Sequence, residues 1–120
     1  MIKVVILTDH YRFSYKVIGS LYEKSLRDSN DFIVLETPVS YIERKRLASK
    51  FPDHIFLHNT LGHGFVPIPE SYNIALPLHE WSEYPKNWIK LLNQFDEVWT
   101  TTDHVFEVLQ RGGLNVPIFK

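Results

Sequence analysis

Two short stretches, Thr8-Asp9-His10-Tyr11-Arg12 and His79-Glu80-Trp81, gather imidazole, carboxylate, guanidinium and indole groups within a few residues of one another. An imidazole titrates near neutral pH and can take a proton from a hydroxyl; a carboxylate beside it can hold the ring or bind a sugar hydroxyl. His79 or His10 is therefore a candidate to orient or deprotonate a hydroxyl substrate, with Glu80 as its partner. Asp9, Tyr11, Arg12, His58, Asn59, His63, Trp81 and Thr101 are candidates to bind that substrate. Each has a plainer reading. Polar residues are common in loops after strands, Glu80 can charge the first turn of a helix, and Trp81 and Trp88 can simply pack.

Other chemistries find less support. His54, His58 and His63 look like a metal cluster, but four residues along a strand span about 13 Å, so His54 and His58 cannot hold one ion. A set of His10, His58, His63 and His79 is geometrically possible, yet no spacing demands it, and no metal is expected. Neither GxGxxG nor GxxxxGK[ST] occurs, so a dinucleotide dehydrogenase or P-loop NTPase is disfavoured and no cofactor is expected. The absence of cysteine removes disulfides and thiol nucleophiles and permits a reducing compartment. A net charge of -1 gives no reason to expect nucleic acid or an anionic membrane as partner. The basic cluster Arg44-Lys45-Arg46 with Lys50 reads as a solvated helix face.

The elements that must position these groups follow from periodicity. Residues 2–7, 31–36, 54–58, 72–78, 97–100 and 116–119 are short apolar, β-branched or aromatic runs of the kind buried in a parallel sheet. Between them, helical stripes run from Ser14 to Leu26, over 42–51, from Pro85 through Trp88, Leu91, Leu92 and Phe95, and from a Thr102 cap through Val105, Phe106 and Leu109 to Gly112-Gly113. Residues 59–69, with Gly62, Gly64, Pro67 and Pro69, read as a long loop. This alternation predicts one α/β domain: a Rossmann-like, doubly wound, mainly parallel sheet of about six strands with helices on both faces. If the strand order is 3-2-1-4-5, the first and fourth strands flank the switch point, where ligands bind in such sheets, and their ends carry the two stretches above. The surface there should be a contiguous concave face that also shows Phe13, Leu61, Phe65 and Val66, and Trp88, Leu92, Phe95, Val98 and Trp99 should be core. The first apolar run is too short for a signal peptide or membrane span, so the expected location is cytoplasmic, with no integral membrane segment.

From Ala75 onward, Glu80, Pro85, Trp88, Leu92-Asn93, Asp96-Glu97-Val98-Trp99, the run Thr100 to Thr102, Gly113 and Val116-Pro117-Ile118 resemble, in order, a stretch of the N-terminal domain of GT-B glycosyltransferases of the family 4 type. The resemblance covers a little over a third of the chain; the first half matches in architecture only. It implies the acceptor-side half of an enzyme that moves a sugar from a nucleotide-sugar to a hydroxyl acceptor, which could be a glycan, a lipid or a small molecule. Two departures stand out: the turn after the first strand, Thr8 to Phe13, has no glycine, and the C-terminal domain in which that family binds its donor is absent. The resemblance therefore implies a chain inactive alone that works with a separate donor-binding domain or as a homodimer. The alternative is a non-catalytic glycan- or protein-binding module derived from that fold.

Overall fold

A computed structural model describes residues 2–8, 30–60, 64–77, 84–100 and 102–119. Its elements are β1 (Ile2–Thr8), β2 (Asn30–Glu36), α1 (Tyr41–Lys50), β3 (Ile55–Asn59), β4 (Tyr72–Ala75), α2 (Lys86–Leu92), β5 (Glu97–Trp99), α3 (Asp103–Arg111) and β6 (Ile118–Phe119). The six strands form one all-parallel sheet, as the apolar runs predict. The helix expected from Ser14 lies outside the described residues.

The strand order is β2-β1-β3-β4-β5-β6, which corrects the expected 3-2-1-4-5. β3 lies against β1 and takes the centre of the sheet, while β2 forms an edge. Burial shows why this arrangement suits the two strands. In β3, Phe56 through Asn59 are all buried, whereas β2 leaves Ile33 40% exposed and Glu36 in solvent. Both runs are equally apolar on paper, so their local sequences do not tell centre from edge.

Register partners in a parallel sheet share a face. Val5, Leu7, Phe56, His58, Ala75 and Val98 thus point to one side and Val4, Ile6, Leu57, Ile74 and Trp99 to the other. All three described helices cover the first side: Leu47, Ala48 and Phe51 pack on Val5, Leu7 and Phe56, while α2 and α3 pack on Ala75 and Val98. Handedness accounts for it. The connections β2 to β3, β4 to β5 and β5 to β6 all advance in the same direction across the sheet, and right-handed crossovers moving one way place their helices on one face.

Helix ends follow local chemistry. The Ser40 and Thr102 hydroxyls accept from the Glu43 and Val105 amides, each at 3.2 Å, and so begin α1 and α3. Pro85 opens α2, which ends at Leu92, earlier than its stripe suggests, because Asn93 turns to accept from Asn115 N–H at 2.8 Å. Gly113, at φ 95°, follows α3 in a conformation that disfavours any side chain. β6 is two residues long, shorter than expected, since Pro117 has no N–H to add to the ladder. Of the expected core residues, Leu92, Phe95 and Val98 are buried, whereas Trp88 and Trp99 are half-buried at the edges of separate clusters.

Candidate functional site

The observed order moves the switch point to the gap between β1 and β3, instead of β1 and β4. The C-terminal ends of these two strands carry Thr8 and Asn59, followed by Thr60, and all three are buried. Asn59 Nδ2 donates to Thr8 Oγ1 at 3.2 Å and ties the two strand ends together. One strand over, the Thr37 amide donates to the Thr8 carbonyl at 3.1 Å. Thr8, Asn59 and Thr60 therefore form a buried polar cluster at the ends of β1 and β3. Gly64 closes against it, because a Cβ at that position would run into the Thr60 hydroxyl.

His58, one residue before the end of β3, faces the helix-covered side and is 1% exposed. Its ring meets Phe95 edge-on, with centroids 4.7 Å apart, and its Nε2 lies 2.8 Å from Asn73 Oδ1. The Asn73 orientation is fixed independently, since its Nδ2 donates to the Ile68 and Ser71 carbonyls and its Oδ1 accepts from Ile68 N–H. His58 Nε2 must then carry the proton and donate it. Burial pushes the imidazole down to about 4, against the partial opposition of the Asn73 bond, and the nearby positive charge of Arg44 adds to the lowering. The ring is neutral at physiological pH and acts as a strut between β3, β4 and the core. Its Nδ1 has no partner among the described residues.

Of the candidate residues, the structure thus describes two. His58 stands inside the packed side of the sheet, and Asn59 is buried at the end of β3, bonded to Thr8. Asp9, His10, Tyr11, Arg12, His63, His79, Glu80, Trp81 and Thr101 lie outside the described residues, as do Phe13 and Leu61. Phe65 corrects the expectation of an exposed binding face: it is 2% exposed and meets Phe95 edge-on with centroids 5.9 Å apart. Ile68 is equally buried, so this part of the long loop is an apolar plug, with Val66 half-buried between them.

Sequence reasoning missed Thr8, Thr37, Asn73 and Arg44. Asn73 had one available signal, a polar residue between Tyr72 and Ile74 in an otherwise apolar strand. Arg44 had none, because it sits within a basic run. Lys45, Arg46 and Lys50 are exposed as expected of a solvated face, but Arg44 is half-buried and its Nη2 donates to the Pro38 carbonyl at 3.2 Å. Among the described residues no group of three or more His, Asp or Glu could hold a metal, and no helix is long and apolar enough to cross a membrane.

A scan against protein-family models finds no match, and neither does a search of curated proteins.

Proposed function

We propose that the chain is the acceptor-side domain of a glycosyltransferase that moves a sugar from a nucleotide-sugar to a hydroxyl acceptor, and that it does not transfer sugar alone. One observation carries the reading: the landmarks of the resemblance fall on structural boundaries in the required order. Asp96-Glu97-Val98-Trp99 leads into and fills β5, Thr102 caps α3, Gly113 takes positive φ just beyond that helix, and Val116-Pro117-Ile118 enters β6. The switch point between β1 and β3 supports the reading, since ligands of such sheets bind outside these strand ends. In this reading His10 or His79 orients or deprotonates the acceptor hydroxyl and Glu80 holds that ring or a sugar hydroxyl, while Asn59 supports the acceptor from below.

Calorimetry with UDP- and GDP-sugars, paired with amide chemical-shift mapping of oligosaccharide and glycolipid headgroup acceptors, tests it. The expected result is acceptor-induced shifts at the ends of β1 and β3 and no turnover of any donor. Micromolar donor binding with turnover by the isolated chain overturns the acceptor-half assignment. Glycan binding that persists when a donor-binding domain is supplied, still without transfer, favours a non-catalytic binding module.

A further inference from the structure

Register places Tyr72, Glu97, Trp99 and Phe119 on the side of the sheet opposite to the three described helices. Tyr72 lines up with Ile55 and through it with Val4, Glu97 lines up with Ile74, and Trp99 with Phe119. Val4, Ile6, Leu57 and Ile74 are buried on this side, but Tyr72 is 45% and Phe119 52% exposed, and Glu97 and Trp99 are half-buried. Single apolar side chains in water need no explanation, whereas a contiguous group of them marks a surface that binds something.

The Glu97 carboxylate organises the group. The Tyr72 hydroxyl donates to its Oε2 and Trp99 Nε1 donates to its Oε1 at 2.5 Å, so both rings are tied to one charge. Tyr72 and Phe119 are its diagonal cross-strand neighbours, a separation that aromatic side chains bridge. The bond to Glu97 pushes the Tyr72 hydroxyl up to about 12, with burial and the charges of Glu97 and Asp96 adding to the rise. The phenol therefore stays protonated and keeps donating. With both donors turned inward, the cluster presents to solvent the remaining lone pairs of a carboxylate and the negative faces of aromatic rings. Neither of the two described partners of Glu97 brings a positive charge.

The geometry points to this face of β4, β5 and β6 as a docking surface for an arginine-bearing segment of a partner protein, with the guanidinium on Glu97 and against the Tyr72 or Phe119 ring. An anion needs donors, which the cluster has spent, and a sugar hydroxyl needs donors and acceptors together. A guanidinium needs only what is offered: its N–H fork meets a carboxylate and its plane lies on an aromatic face. The surface is separate from the acceptor-side reading. Tyr72 and Glu97 open β4 and β5, at the opposite ends of the strands from the switch point between β1 and β3.

The test titrates a short blocked peptide of alanine, leucine and two arginines into the whole chain at low ionic strength. The same peptide with citrulline, which keeps the shape and loses the charge, is the control. The expected result is saturable binding of the arginine peptide, read as shifts of the Glu97 and Phe119 amides and the Trp99 indole N–H. It should weaken about tenfold in Glu97→Gln and fall with added salt. A lysine version should bind less well, because an ammonium has no planar fork. If Glu97→Gln does not fold, Phe119→Ala carries the comparison, since that ring is exposed and its loss should still weaken binding. Equal binding of the citrulline peptide would mark a general apolar surface, and peptide binding lost as the chain self-associates would mark a contact between copies. Either outcome overturns the proposal, as does unchanged affinity in the variants or no saturable binding. Acceptor-induced shifts at the ends of β1 and β3 should be the same in Glu97→Gln, so the two sites fail separately.

Discussion

Helices α1 and α3 make the same kind of connection and cap themselves with the same chemistry, yet they are held in opposite ways. α3 sends Val105, Val108 and Leu109 into the cluster formed with Ala75, Leu92 and Val98, and all of these are essentially inaccessible. α1 has no buried residue; it rests on half-buried Leu47 and Ala48 and on Phe51 just beyond its end. Hydrophobic burial scales with area removed from water, so the β4–β6 half of the molecule holds its helices by packing, while the β2–β3 connection is held largely by its ends. Among the described residues, the half with less packing is also the half in which buried polar atoms lack partners.

The largest effect that could break this contrast is a core truncation in each helix. Leu109→Ala should cost about 2–5 kcal/mol and Leu47→Ala about 1 kcal/mol in urea melts. Equal losses would mean that α1 is anchored as firmly as α3.

The seam between the halves should respond to acid. His58 has an ordinary value of 6.5 and is held near 4 by burial, so the unfolded chain binds the proton more tightly than the folded one. Stability from this group is complete above pH 6.5 and is lost as pH falls through that window towards 4, by up to about 3 kcal/mol. Chemical denaturation across that range should show this slope in the wild type and a flatter one in His58→Phe. Identical slopes would mean that the ring is not buried as a neutral strut.

Capping sharpens the comparison at a smaller scale. Ser40→Ala and Thr102→Ala each remove one hydroxyl acceptor and should each cost about 1 kcal/mol. Thermal melts report that loss, whereas circular dichroism below the transition should show fraying in Ser40→Ala alone, because only α3 has a buried face to hold it. Smallest of all, Lys45→Ala and Arg46→Ala on the exposed side of α1 should stay within about 0.5 kcal/mol of wild type in the same melts. A larger loss would show that this face is not simply solvated.

The sequence made the parallel sheet legible because strands buried on both faces read as continuous apolar runs, and hydroxyl and glycine punctuation marked the helix ends. Strand order was not legible: placing β3 beside β1 rather than beyond β2 depends on which run tolerates an exposed edge, and Ile33 and Phe56 look alike in a hydropathy pattern. Of the candidate site only His58 and Asn59 fall among the described residues, and the direction in which His58 faces was not legible. A histidine at the end of a strand can face either a crevice or a core, and the aromatic neighbour that decides the matter, Phe95, lies far along the chain. Arg44 was hidden for the converse reason, since one inward-facing charge in a basic run differs from its neighbours only by helical phase.

Asn73 has a further consequence. Its amide side chain bonds Ile68 N–H at 2.8 Å and the Ile68 and Ser71 carbonyls at 3.0 and 3.1 Å, while accepting from His58 across the sheet. Ile68 belongs to no strand or helix, but its proton is held by a side chain that is itself 3% exposed and fixed within β4. Amide protons exchange with solvent at the rate of the opening that releases them. This one should therefore exchange with the slow protons of the sheet, making an irregular loop part of the same cooperative unit as the strands it joins.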